Sequence, residues 1–374
     1  MAPATCDAAV VGGGLVGTAL AFELASAGAS VVLVDRHDRG RATDAGAGIL
    51  SPDTSPRVDA AWHRFASAAG AHYPALVDRL AAEGITETGY DRCGLLSIVR
   101  QEHEDPWFEE FAAVALSRAP GVAVEVDGDE ARRRFPPLGK VWRALYHPRA
   151  ARVDGRRMLA ALSAAADGLG VTRWEAGAEQ LQTRGSRVVG VITDHGELSC
   201  DAVVVAGGAW SKEMEAQLGT TIPVQPLKGQ IIHLSLPDAD TSDWPILQPL
   251  LGFYLVPWAD GRVACGGTLE PDAGFDTRPT AAGVRDLLRE CLSTAPGLGG
   301  ATVVEVRVGL RPEPTDGLAV LGRLPGWDNA YVATGHGTEG LLLGPYSAAM
   351  VARTMTGAGE EDALKPFSAT RLTR

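Results

Sequence analysis

The sequence predicts an α/β chain: a mainly parallel sheet, joined to a smaller α+β region built on an antiparallel sheet. An apolar run at the N-terminus breaks into glycines, a helix and a second apolar run. Two later apolar runs, ending near residues 206 and 334, also stop at glycines. Residues 90–100 and 228–236 instead alternate as half-buried antiparallel strands do.

The N-terminal element carries the most information. Ala8-Ala9-Val10-Val11 reads as a strand, and Gly12-Gly13-Gly14-Leu15-Val16-Gly17 follows directly. Leu20 and Leu24 lie four apart in a helical stretch of small residues, which Gly28 ends. Val31-Val32-Leu33-Val34 is a buried strand that stops at Asp35. This is a Rossmann-like dinucleotide-binding unit, and each part has a physical job. Gly12 permits the sharp turn, Gly14 lets a pyrophosphate approach the backbone, and Gly17 lets the helix lie on the sheet. The helix N-terminus offers unpaired N–H groups to phosphate. Asp35 can accept hydrogen bonds from ribose hydroxyls, and its charge disfavours a 2′-phosphate.

Two further corners decide the ligand. Residues 199–211 run from a buried strand into Gly207, Gly208 and Trp210; residues 329–341 run into Gly335, Gly337 and Gly340 and then a helix to about Met355. A small, polar segment, residues 41–50, follows the second strand and suits wrapping a cofactor. Three separated glycine corners point to one long ligand touched along its length, FAD rather than a nicotinamide dinucleotide.

Together these pieces resemble the D-amino-acid-oxidase superfamily of FAD-dependent oxidoreductases, in its glycine oxidase and sarcosine oxidase branch. The likeness covers nearly all of the chain and rests on Gly12 to Gly17, residues 43–50 and 206–211, and Lys228-Gly229-Gln230. It rests equally on Tyr254-Leu255-Val256-Pro257, on Gly309-Leu310-Arg311-Pro312 with Asp316-Gly317, and on Gly335-His336-Gly337. The resemblance implies an interleaved architecture. A FAD-binding domain would take residues 1–85, 150–220 and 315–374; a substrate domain would take 86–149 and 221–314. Implied cofactor contacts are Gly12, Gly14, Leu15, Val16, Gly17, Asp35, Arg36, Thr43, Ala47, Gly48, Ile49, Ala178, Gly207, Trp210, Gly335, Gly337, Thr338, Glu339, Gly340 and Leu341. Sarcosine-oxidase relatives attach flavin through a cysteine near the last corner. This chain has no cysteine after Cys291, so a non-covalent FAD is expected.

The implied activity is oxidation of a C–N bond in a small amino acid or amine, with oxygen or another acceptor taking the electrons. Such chemistry needs positioning more than acid–base machinery. The resemblance makes Arg311 the clamp for the substrate carboxylate, for which a guanidinium offers a bidentate fork. Tyr254 would hydrogen-bond the carboxylate or amine, or else be a core tyrosine. His336, the third catalytic candidate, would act more through its backbone than its ring. Glu339 would either attract a substrate ammonium or cap the following helix. Arg307 shares a strand face with Arg311, which offers either a second pocket arginine or a solvent-facing one. Ile49 and Leu269 stand where glycine oxidases carry methionines, and Trp258 where relatives often carry a basic residue; the substrate expected is therefore not glycine. Rival readings are a 2-hydroxy-acid dehydrogenase of the same fold, with His336 or Glu339 as its base, an ordinary NAD-linked dehydrogenase, and a flavin subunit of a hetero-oligomer.

Composition bounds the rest. The chain has 374 residues, enough for two domains, and 45% are hydrophobic. A formal charge of −12 argues against nucleic acid as a partner. The five cysteines are scattered and form no C-x-x-C pair, which fits a reducing compartment without disulfides or zinc. The remaining histidines show no metal spacing. No basic leader and no membrane-length apolar run is present, so a cytoplasmic protein is expected, with homo-oligomerisation left open. Elsewhere, residues 252–269 read as a hairpin turning at Asp260-Gly261, and residues 280–294 and 158–169 read as helices, the latter capped by Asp154. Residues 60–82 read as one or two amphipathic helices, and Arg132-Arg133-Arg134 as a solvated face.

Overall fold

The computed structural model describes residues 4–250, 253–357 and 361–372. Strand β1 (Ala4–Val11), helix α1 (Leu15–Ser26) and strand β2 (Val31–Val34) form where the apolar runs place them. β1 lies at the centre of an eight-stranded sheet, parallel to β2 on one side and to the strand Gly196–Val205 on the other. The strand Ala330–Thr334 extends that sheet, again parallel, beside Val203 to Val205. All eight strands come from residues 4–34, 172–205 and 320–334. α1 is apolar nearly all round because it is covered twice, by the sheet below and by the C-terminal helix Gly340–Met355 above. Gly344 of that helix permits the approach: a Cβ there would lie 3.1 Å from Val16 Cγ2.

A second eight-stranded sheet runs Thr302–Pro314, Val224–Ser235, Arg262–Gly266, Tyr254–Pro257, Ile246–Pro249, Leu95–Val99, Arg143–His147 and Val124–Val126. Its pairings are antiparallel except one: Ile246–Pro249 runs parallel to Leu95–Val99. One face packs on the helix Ala281–Thr294, capped by Thr280. The other faces the nucleotide-binding half, with Leu95, Ile246, Val256 and Ile231 in its apolar floor. Because both faces are covered, residues 228–234 are buried throughout. The expected alternation there is therefore not a half-solvated strand but one in a sandwich layer.

The hairpin forms between Tyr254–Pro257 and Arg262–Gly266, turning at Trp258 to Gly261. Gly252, its expected start, lies outside the described residues. Ala60–Ala82 is one helix, opened by the Asp59 side chain. The Asp154 carboxylate caps Gly155–Gly168 and pairs with Arg262 at 2.9 Å. The arginine triplet ends the helix Gly128–Arg134; its members pair with Asp129 and Glu130, and Arg134 also lies over the Tyr146 ring. Among the described residues, no helix is long and apolar enough to cross a membrane.

Candidate active site

A cavity of about 500 Å³ lies between the two sheets, within the usual size of a cofactor or ligand cleft. Its nucleotide end is built on the first glycine turn. Gly12 takes φ +112°, and a Cβ there would stand 2.5 Å from the Ala206 carbonyl oxygen, so the first corner passes directly under the second. Gly14 is open, with Thr43 Oγ1 its nearest neighbour at 3.5 Å. The Leu15 N–H donates to Thr43 Oγ1 at 3.0 Å, which fixes the residue 41–50 segment over the helix N-terminus. Asp35 ends β2 as expected. Arg41 at 3.1 Å and His37 at 3.4 Å both approach its Oδ2. Arg36 lines the cavity, yet its guanidinium is already paired with Asp38 and Glu213. The second and third corners are tied together: Ser211 Oγ donates to Thr334 Oγ1 and Thr334 Oγ1 to the Gly208 carbonyl, each at 3.0 Å.

Val16, Ala47, Gly48, Ile49, Ala178, Gly207, Trp210, Gly337, Thr338, Gly340 and Leu341 also line the cavity. Gly17, Gly335 and Glu339, expected among the cofactor contacts, do not. A Cβ at Gly17 would stand 1.8 Å from the Gly12 carbonyl oxygen, so this glycine seats the helix on the turn. Gly335 packs against Val224 and Val320. Glu339 precedes the C-terminal helix but makes no side-chain cap. Its carboxylate accepts instead from Arg57 Nε at 3.0 Å and Trp62 Nε1 at 3.1 Å. The expected cap is not made, because the carboxylate's partners are Trp62, in the first turn of Ala60–Ala82, and Arg57, on the segment that leads to it. That segment in turn presents Pro56 to the cavity.

The far end of the cavity carries the reactant candidates. Arg311 sits on Thr302–Pro314, and its neighbour strand supplies Gly229, where a Cβ would stand 2.2 Å from Arg311 Nη1. The guanidinium therefore lies flat across a glycine. Nη1 donates to the Thr268 carbonyl at 3.0 Å. Tyr254 reaches the same spot from the hairpin: a Cβ at Gly267 would stand 2.8 Å from the Tyr254 hydroxyl and 3.2 Å from Arg311 Nη2. Burial raises the Tyr254 phenol above its ordinary value, and the neighbouring Arg311 charge offsets part of that rise. Thr268 is itself held. The Gln230 N–H donates to Thr268 Oγ1 at 2.9 Å, and Gln230 Nε2 donates to Glu270 at 2.7 Å. Buried Lys228 stands 3.6 Å from Glu270. The lysine-glycine-glutamine motif thus braces Arg311 through Thr268, a role its sequence does not disclose. Phe253, Leu269 and Ile49 supply apolar wall.

Arg307 is not part of this end. It is mostly covered and pairs with Glu305, so it is neither a second pocket arginine nor a solvent-facing one. Trp258 is buried between Arg152 and Arg262, outside the cavity lining. His336 lines the cavity, but its ring is buried and Nε2 meets Ser347 Oγ at 3.1 Å.

Burial lowers the His336, His147 and His233 imidazoles to about 4. Groups lowered on folding stabilise the protein above their unfolded value, near 6.5, and that contribution fades as pH falls toward 4. Each such histidine adds a slope of about 1.4 kcal/mol per pH unit in that window. His336→Asn is expected to flatten the loss of unfolding free energy between about pH 7 and about pH 5 by one such increment, read from urea titrations. Equal slopes in the two proteins would show that His336 binds its proton as readily in the folded state as in the unfolded one.

A glycine-cornered groove for a flavin dinucleotide, ending at a guanidinium and a phenol, defines a flavin-dependent oxidoreductase. A family model described as DAO, FAD dependent oxidoreductase, matches residues 7–354, and the chain belongs to that family. It is 37% identical over 361 residues to YurR, an uncharacterized oxidoreductase of Bacillus subtilis, covering 96% of this chain and 97% of that protein. It is 35% identical to a glycine oxidase of Pseudomonas aeruginosa over 361 residues, 93% of this chain and 94% of the relative. The crystal structure of iminodiacetate oxidase from Chelativorans sp. BNC1 superposes with a TM-score of 0.92 at 34% identity, covering 96% of this chain and 98% of that one. The protein is an enzyme with FAD as its cofactor, of the glycine oxidase and amine oxidase type.

Proposed function

We propose that the protein oxidises the C–N bond of a small amino acid or secondary amine other than glycine, giving an imine that hydrolyses to a keto acid or aldehyde. Bound FAD supplies the hydride acceptor, at flavin N5. The chain's own residues position and desolvate. Gly12, Gly14, Thr43 and Asp35 would hold the dinucleotide, and the three corners fix its length. The Arg311 fork grips the substrate carboxylate, and the Tyr254 hydroxyl adds a second hydrogen bond. Ile49 and Phe253 exclude water from the reacting carbon.

The observation that carries this reading is the convergence of Arg311 and Tyr254 on Gly267 at the cavity end beyond the glycine corners. The names of the similar proteins, a glycine oxidase and an iminodiacetate oxidase, fit it, since both substrates are small amines bearing carboxylate. A hydroxy acid would need a base for its hydroxyl proton. The His336 ring is committed to Ser347 and Glu339 to Arg57, which disfavours that alternative. The amine proton leaves to water. None of the five cysteines lines the cavity, so the flavin is held without a covalent bond. All five are free thiols, which fits the cytoplasm. Electrons pass on to oxygen or another acceptor.

Anaerobic mixing of the yellow holoenzyme with amino acids, N-alkyl amino acids and hydroxy acids tests the proposal. Bleaching by amines and not by hydroxy acids is the expected result; the reverse pattern, or no bleaching by any amine, would overturn it.

A further inference from the structure

We infer that Gln248 is a specificity residue, and that it selects amino acids carrying a neutral hydrogen-bonding group at the β or γ position. The inference rests on the amino-acid reading above. Gln248 sits on the strand Ile246–Pro249. Leu247 pairs with Leu255 in the antiparallel neighbour, which sets Gln248 directly across from Tyr254. Tyr254 pairs in turn with Gly266. Cross-strand neighbours project to the same sheet face with Cβ atoms about 5 Å apart. The amide therefore stands one strand beyond the phenol, on the side away from Arg311.

Gln248 lines the cavity together with Phe253, Tyr254 and Leu269. Its Oε1 is buried and has no hydrogen-bond partner. Other buried side-chain atoms without partners belong to His72, Ser97, Arg134, His147, Arg152, His233 and Trp258. Among the described residues, Gln248 is the one of this set that lines the cavity. Carbonyl and amino ends of a glutamine can exchange places by a flip. As placed, Oε1 is turned into the wall, where an unpaired polar atom costs free energy; the flip exchanges it with the amino end and brings the carbonyl to the cavity face, where a ligand's donor can satisfy it.

The charge pattern narrows the ligand group. The other charged side chains lining the cavity, Asp35, Arg36, Asp38, Arg41 and Glu213, cluster at the nucleotide end; Arg311 is the charged one at the reactant end. With Arg311 occupied by the α-carboxylate, a second carboxylate finds no cation, and an ammonium side chain finds no anion. A hydroxyl or carboxamide suits the amide alone. A site built to hydrogen-bond such a group rejects the apolar isostere, because the buried polar atom is then left unpaired.

The test is rapid anaerobic reduction of the holoenzyme by matched pairs: threonine and valine, asparagine and leucine, homoserine and norvaline, each as both enantiomers. In the wild type the polar member of the preferred enantiomer is expected to reduce the flavin at least about 30-fold more efficiently. Gln248→Leu is expected to bring that ratio to about one or invert it, while acetate, which probes only the Arg311 clamp, still perturbs the flavin spectrum as in wild type. Gln248→Glu, close in shape, is expected to shift preference toward 2,4-diaminobutyrate and covers the case in which the leucine variant folds poorly. Equal polar-to-apolar ratios in wild type and both variants would overturn the role of Gln248 while leaving amine oxidation intact. Failure of every amino acid to reduce the wild type would overturn the amino-acid reading, and this inference with it.

Discussion

Replacing Arg311 with alanine is expected to lower kcat/KM by roughly 30-fold to several thousand-fold, the equivalent of about 2–5 kcal/mol for loss of a buried charge partner. The holoenzyme should still purify yellow. Arg311 bonds the Thr268 carbonyl and lies over Gly229, away from the turn residues that would hold the dinucleotide. Arg311→Lys should fall between, since a point charge replaces a planar fork. Steady-state kinetics and the ratio of flavin to protein absorbance separate the two effects. Near-wild-type turnover in the alanine variant would remove the clamp from the mechanism, and colourless protein would make Arg311 a structural residue.

Gly17→Ala is expected to act at the opposite end of the groove. A methyl 1.8 Å from the Gly12 carbonyl oxygen cannot be accommodated unless α1 lifts from the turn. Overpacking of this kind costs about 1–3 kcal/mol or more. It also moves the free N–H groups that phosphate would meet. The variant should melt lower, and added FAD should raise its melting temperature less than it raises that of wild type. Gly28→Ala is the control. Gly28 also has a backbone that L side chains rarely adopt, φ +91°, but a Cβ there meets nothing within 4 Å. It should cost stability and leave the response to FAD unchanged. Equal FAD responses in wild type and Gly17→Ala would mean that the close seat of the helix does not matter to the cofactor.

The nucleotide end was legible because its physics is local. A turn, a helix N-terminus and an acid at a strand end lie within one short stretch, and glycine spacing reports them directly. Arg311 and Tyr254 were legible through motif resemblance. Glu339 was not, because its partner Arg57 lies 282 positions away in the chain. Arg307 is legible from the chain: Glu305 lies two positions before it on the same strand face, close enough to neutralise it. Gln248 offered no signal at all. Its place beside Tyr254 exists only through strand register, and its orphaned amide only through packing.

The parallel sheet is completed late in the chain, and this bears on how the enzyme comes into being. β1 is made before the segments it joins: Gly196–Val205, its central partner, follows almost two hundred positions later, and Ala330–Thr334 and the helix over α1 later still. Closing such wide loops before their contacts can reward the closure slows folding. β1 can pair early with β2, but its other edge must wait, unpaired, until Gly196–Val205 has been made. A dinucleotide spanning all three corners would draw early and late segments together at once. In the cell, flavin supply should then govern how much polypeptide survives to maturity, and not merely how much of it is active.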